Sequence, residues 1–138
     1  MADSITLRVI TPEKIVLDTV ASAVVVPGVD GQIGILPRHA PMVAALGPGP
    51  LSYTSGGVRE SLFVAGGFAE VRQDTLRVVT EASERPSEID VDRARKAAER
   101  ARERLHTKVH VAEELDALRA ELALRRAIMR QKTAQRGR

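Results

Sequence analysis

The sequence predicts an all-β N-terminal domain, of sandwich or barrel type, followed by a C-terminal α-helical hairpin of two helices. Three observations carry this. Short runs rich in Val and Ile, bounded by Gly, Pro and Asp, recur every eight to ten residues as far as residue 80, the spacing of an antiparallel sandwich or barrel. From Ser87 to Arg136 there is no Gly and no Pro, while Ala, Leu, Glu and Arg dominate, which favours helix throughout. The charge divides at the same place: residues 1–85 hold 7 Lys/Arg against 9 Asp/Glu, residues 86–138 hold 14 against 9. The mild total of +3 therefore hides a slightly acidic region of −2 and a basic region of +5. We place the boundary in Glu84-Arg85-Pro86-Ser87, giving regions 1–85 and 86–138.

In the first region the expected strands are Ile5–Ile10, Lys14–Asp18, Ala21–Val26, Gln32–Leu36, Val43–Leu46, Leu51–Thr54, Val58–Val64, Phe68–Arg72 and Thr75–Thr80. Gly56-Gly57 and Gln73-Asp74 read as hairpin turns. Gly66-Gly67, inside an apolar run, marks a bulge or a close approach of backbone. The stretch Pro27–Pro50 is too dense in Gly and Pro to be strand alone and reads as turn-rich surface. Gly28, Gly31 and Gly34 do not make a phosphate loop, because no GK[ST] follows and no helix opens after them. His39, the only imidazole of this region, lacks an acidic or hydroxyl partner at a characteristic spacing and reads as structural or interfacial.

In the second region Pro86-Ser87 and Asp90 form a helix start, with Ser87 or Asp90 capping free N–H groups. Ala94, Ala97, Ala98, Ala101 and Leu105 recur at helical steps in the first half, and Leu115, Leu118, Leu122 and Met129 do so in the second. The expected helices are Asp90–Leu105 and Ala112–Lys132. Between them, His106–Val111 contains no breaker, so the segment forms a loop in a hairpin yet permits a more extended arrangement. An alanine-lined seam buries little area per residue and makes the hairpin weakly held. His106 and His110 have i, i+4 spacing, but no third metal ligand is evident and a solvated loop is the reading.

If the chain turns near Val109, Asp90, Arg93, Arg126 and Arg130 gather at the open end of the hairpin beside Glu84, with Arg100 about 10 Å further along the axis. Several guanidiniums suit a polyphosphate, since Arg grips phosphate through two parallel N–H bonds. The charge pattern alone favours a plainer arrangement, in which these arginines pair with Glu88, Asp92, Glu99, Glu103 and Glu121 on solvated faces.

Composition limits the function. The chain has 138 residues, no Cys, no Trp, one Tyr and two Phe, so disulfides, thiolate metal sites and thiol nucleophiles are excluded. No apolar run approaches the roughly 20 residues that span a bilayer, and the N-terminus lacks a basic and apolar leader, so the chain reads as made in the cytosol and unprocessed. A nucleic-acid module lacks aromatic residues for stacking. A small enzyme would have to rest on His39, so no catalytic residue is assigned.

The motifs GxxGxLPxHxP (Gly31–Pro41), IDxxRA (Ile89–Ala94) and AELALRRA (Ala120–Ala127) together resemble the ε subunits of F-type ATP synthases, over essentially the whole chain. The resemblance implies an all-β sandwich N-terminal domain and a C-terminal helical hairpin in a central stalk, coupling a rotating membrane ring to the catalytic head. It implies a non-catalytic regulatory subunit, peripheral on the cytoplasmic face of a bacterial plasma membrane or on a thylakoid or other energy-coupling membrane. The sandwich would meet the γ subunit and the c-ring, with Asp30, Gly31, Gln32, Arg38 and His39 facing the ring. The arm would extend to the catalytic α and β subunits through Arg119, Arg125, Arg126 and Arg130 and resist hydrolysis. No cofactor is required. ATP is implied as a regulatory ligand of the folded hairpin at Glu84, Ile89, Asp90, Arg93, Ala94, Arg100, Arg126 and Arg130, with Asp92 as a departure that adds negative charge to the motif.

Overall fold

The computed structural model describes residues 3–106 and 114–136. Eight strands come first: β1 (Ile5–Ile10), β2 (Ile15–Ala21), β3 (Ala23–Gly28), β4 (Gly31–Ile35), β5 (Met42–Ser55), β6 (Val58–Arg72), β7 (Thr75–Val79) and β8 (Ser83–Glu84). A single 3-10 turn (Pro86–Glu88) leads into α1 (Val91–His106) and α2 (Glu114–Arg136).

The strands form one hydrogen-bonded path in the order β2-β1-β7-β6-β5-β3-β4, with β8 added beside β6. The path is open, ending in β2 and β4, so the domain is a sandwich and not a barrel. Ile5, Leu7 and Val9 of β1 share one buried cluster with Val24 and Val26 of β3 and Ile35 of β4, from opposite ends of the path. The sheet therefore folds over on itself, and its two layers enclose an aliphatic core that also takes Leu51, Leu62, Val71, Leu76 and Val78.

The long strands β5 and β6 belong to both layers. They replace four of the expected short strands, since Val43–Leu46 joins Leu51–Thr54 and Val58–Val64 joins Phe68–Arg72. Their register is continuous from Met42↔Val71 to Ser55↔Val58. Pro48 and Pro50 lie inside β5, and the ladder from β3 to β5 is interrupted where they lie. They have no N–H to donate to it, which is the position a strand proline needs. On β6, Gly66 and Gly67 have φ of 105° and 103°, and a Cβ on Gly67 would overlap the Val79 carbonyl oxygen. The pair thus marks a close approach of backbone, which only glycine permits.

Gly56-Gly57 and Gln73-Asp74 make the two expected hairpin turns, all four residues with positive φ. The second expected strand lies further along the chain, at Ile15–Ala21, and β8 was not anticipated. Two residues are too few to show a period, and β8 exists because Ser83 and Glu84 pair with Val64 and Phe63.

Asp90 caps α1, its Oδ1 accepting from the Arg93 N–H at 3.0 Å. The seam between the helices is built from alanine: Ala94, Ala98 and Ala101 of α1 are buried, as are Ala120 and Ala127 of α2, while Ala134, next on the same stripe, is buried against the sandwich. For α2 this corrects the leucine face expected from periodicity, because Leu118 and Leu122 are 52% and 41% exposed. Both stripes have helical spacing, and two helices crossing a short gap take the smaller side chains. Thr133, buried in the same helix, bonds back to the Met129 carbonyl at 2.8 Å. The side chains of Leu105, His106 and Leu115, the segment 107–113 with His110, and the expected start at Ala112 lie outside the described residues.

The hairpin docks on the sandwich through a second small apolar cluster of Phe63, Ile89 and Ala134, flanked by Ala65, Val91 and Met129. Phe63 is fully buried, although it pairs with Pro50 on the face turned away from the main core. The arm covers it.

Candidate functional site

Where linker, α1 and α2 converge, a cleft of about 410 Å³ opens, within the roughly 300–1,000 Å³ of small-molecule pockets. Its room comes from small side chains, Ala94, Ala97 and Ala127, and its walls from Glu84, Glu88, Ile89, Asp90, Arg93, Arg100 and Arg130. Of the eight residues expected to gather here, Glu84, Ile89, Asp90, Arg93, Ala94, Arg100 and Arg130 line the cleft. Arg126 stands one turn before Arg130 on α2 and is not part of the lining.

The charges in the cleft are unequal in availability. Arg130 is committed: its Nε donates to Glu84 Oε1 at 2.8 Å, and its guanidinium carbon lies 4.6 Å from the centroid of Phe63, a cation–π distance. Arg93 and Arg100 make no ion pair among the described residues. The plainer pairing on solvated faces instead takes Arg95, which bonds Asp92 at 2.9 Å and Glu99 at 2.7 Å, together with Lys96 on Asp92 and Arg85 near Glu88. Asp92 thus does not add charge to the cleft. Its carboxyl is held below the usual carboxylate range by hydrogen bonds from Arg95 and then Lys96. Asp90 remains in the lining, with one oxygen occupied by the helix cap.

The cleft can accordingly hold an anionic group on Arg93 and Arg100, and it offers acceptors at Glu84, Glu88 and Asp90 to a ligand's donors. Phe63 beneath Arg130 and the seam alanine Ala127 were missed in the sequence. The heptad recurrence Ala120, Ala127, Ala134 is the signal that finds the second; Phe63 has none, since its cover comes from Ile89 beyond the linker and from Met129, Arg130 and Ala134 near the end of the chain.

The sandwich residues form two groups at the start of β5. Asp30, Gly31 and Gln32 lie at the exposed turn from β3 to β4, fixed by the Val29 N–H bonded to the Ala45 carbonyl at 3.1 Å. Arg38 has φ of 63°, its N–H donates to Asp74 Oδ1, and its guanidinium lies 3.5 Å from Asp3. His39 is half-buried, with Nδ1 2.8 Å from the Ala40 carbonyl oxygen. Beside them Val43 and Phe68 are exposed large apolar side chains. Arg119 and Arg125 are exposed on α2, away from the cleft. Among the described residues no group of three or more His, Asp or Glu could hold a metal ion, and no helix is long and apolar enough to cross a membrane.

The beta-sandwich domain of the ATP synthase delta/epsilon chain matches residues 4–86, and the long alpha-helix domain of the same chain matches residues 87–135. The chain belongs to the ATP synthase delta/epsilon family. An ATP synthase epsilon chain of Desulforamulus reducens is 44% identical over 135 residues, covering 98% of this chain and 100% of its own. That of Carboxydothermus hydrogenoformans is 51% identical over 105 residues, covering 76% and 78%. Among solved structures, a chain of the Euglena gracilis mitochondrial ATP synthase (OSCP/F1/c-ring) superposes with a TM-score of 0.81 at 25% identity, covering 98% of this chain and 82% of that one. The family assignment thus extends over both regions, sandwich and arm alike.

Proposed function

We propose that the protein is the ε subunit of an F-type ATP synthase central stalk, a non-catalytic subunit whose arm restrains ATP hydrolysis and whose folded hairpin binds ATP. The observation that carries the arm's role is the exposure of Leu118 and Leu122. An α2 that packs on α1 through alanine and shows leucine to solvent is furnished for a second partner, reached when the hairpin opens. Arg119 and Arg125 near that face, and the +5 of the region, suit acidic segments of the catalytic α and β subunits. The sandwich serves as the dock: Val43 and Phe68 offer apolar surface to the γ subunit, and the turns carrying Asp30, Gly31, Gln32, Arg38 and His39 face the c-ring. The protein is then peripheral on the cytoplasmic face of the bacterial membrane.

ATP is a ligand of this reading and not a substrate. Arg93 and Arg100 would take the phosphates, and Glu84 or Asp90 would accept from the base or ribose. Binding to both helices at once selects the hairpin over the extended arm.

The test of the arm is reconstitution with the catalytic head. Removal of residues 87–138 raises hydrolysis severalfold while the sandwich still assembles; unchanged hydrolysis overturns the restraint. For ATP, calorimetry on the full chain should show binding that Arg93→Ala and Arg100→Ala each weaken at least tenfold. No heat at millimolar ATP removes the ligand.

A further inference from the structure

The geometry points to a second anion site, separate from the hairpin cleft, that takes a phosphoryl group and clamps the arm to the sandwich. It is a cleft of about 470 Å³ at the far end of α2, lined by Gln32, Ser52, Arg59, Ser61 and Arg136. Four of these belong to the sandwich and Arg136 to the last turn of the arm.

Its chemistry differs from that of the hairpin cleft in one respect. No carboxylate lines it, the nearby Glu60 lining an adjoining cleft and accepting from the Tyr53 hydroxyl, whereas Glu84, Glu88 and Asp90 line the other. Neither Arg59 nor Arg136 makes an ion pair among the described residues. Ser52 and Ser61 are cross-strand partners with their Oγ atoms 3.3 Å apart. Two hydroxyls sharing one hydrogen bond leave one O–H to donate, and the Gln32 amide supplies two more N–H groups. Arg59 lies two residues before Ser61 on the same face of β6. Every lining group is a donor or can become one, and two are cations. That set fits a tetrahedral oxyanion, which accepts on all sides and is gripped by guanidinium forks.

Docking the arm brings Arg136 to the cleft that Arg59 already lines. Without an anion, two like charges oppose docking; with one between them, the sign reverses. The partial negative charge at the C-terminal end of α2, about half an elementary charge, is outweighed by the two guanidiniums. Because the site is complete only when the arm is docked, a phosphoryl anion stabilises the docked state by mass action.

The experiment is a titration of the isotopically labelled full chain with inorganic phosphate, followed by backbone amide shifts. Ser52, Ser61 and Arg136 amides should move together along one binding curve, and hydrogen exchange along α2 should slow severalfold at saturation. Arg59→Ala, on the exposed sandwich surface, should weaken binding at least tenfold with the fold intact, Arg59→Lys should retain part of it, and Arg93→Ala should leave it unchanged. Repeating the titration with ATP in the Arg93→Ala chain decides the source: shifts at Ser52 and Ser61 mean that a nucleotide's phosphate tail enters, and their absence means that the site takes the free anion. No shifts at tens of millimolar phosphate, equal affinity in Arg59→Ala, or movement of Ser52 and Ser61 without Arg136 would each overturn the clamp. Because Arg93 serves one site and Arg59 the other, failure here is distinct from failure of the ATP reading.

Discussion

Leu7, Leu51, Leu62 and Leu76 are wholly enclosed in the sandwich, whereas Leu118 and Leu122 of the arm face solvent. The arm closes on alanine instead. A buried methyl contributes about 0.8 kcal/mol against roughly 1.5–3 kcal/mol for a leucine side chain, so equal lengths of packed surface hold the two regions with unequal strength. The sandwich has its core made within itself. The arm keeps its larger apolar groups unspent and leans on a small cluster around Phe63 and on the Glu84–Arg130 pair. A part that must stay assembled and a part that can let go thus differ in side-chain size at the seam more than in secondary structure.

The largest expected break of this contrast is in the sandwich. Leu62→Ala removes a fully buried side chain from the main cluster and should cost about 2–5 kcal/mol. The fluorescence of Tyr53, the only tyrosine and a member of the same cluster, should show the lowered denaturation midpoint. The arm should follow, since it has nothing to dock on once the sandwich unfolds.

In the arm, Ala127→Leu inserts a large side chain between α1 and α2 and into the hairpin cleft. Overpacking of this kind costs about 1–3 kcal/mol. Hydrogen exchange along α2 should quicken by ten-fold or more while the midpoint read by Tyr53 stays in place. Equal loss in both regions would mean that they unfold as one unit.

Much of this contrast was legible in the sequence and part of it was not. Ala94, Ala98 and Ala101 were placed in the seam because α1 has one apolar stripe. On α2 two stripes compete, and periodicity alone does not say which one meets α1 and which one waits for something else. The strands were found where Val and Ile alternate, yet β5 and β6 were each cut in two. The density of Gly and Pro in Pro27–Pro50 hides the continuity of β5, where Pro48 and Pro50 sit at a gap in the β3 ladder, whereas Gly66-Gly67 makes the expected close approach, to the Val79 carbonyl, without ending β6. In the cleft, the motif Ile89–Ala94 and the arginine spacing collected seven lining residues. What they did not show is that Glu84 and Phe63 already occupy Arg130, a fact of tertiary pairing across forty-six residues for Glu84 and more for Phe63.

That pairing supplies a smaller test. Glu84 and Arg130 are each about 30% exposed, and Glu84→Gln should weaken docking by about 1 kcal/mol. The expected result is a modest rise in α2 exchange, reproduced by raised salt in the parent chain as screening removes the same attraction. An exchange rate insensitive to both changes would leave Phe63 and Ala134 as the whole of the attachment.

The smallest effect falls on the boundary itself. The Tyr53 hydroxyl is pushed up to about 12, first by burial and then by its hydrogen bond to Glu60, with Arg85 of the linker acting in the opposite direction. It donates to Glu60 Oε2 at 2.7 Å, and ionising it would set two negative charges side by side. A raised folded value means that this contribution to stability is fully present below the ordinary phenol value of 10 and is lost as pH rises from there through about 12. With one tyrosine and no tryptophan, phenolate absorbance reports this group alone. Glu60→Gln should move the midpoint down toward the ordinary phenol range. A chain ending at Arg85 should keep it raised, because Glu60 and the surrounding cluster belong to the sandwich. If that truncation brings the midpoint down, the arm and its linker supply the burial, and the sandwich is less self-sufficient than its enclosed leucines imply.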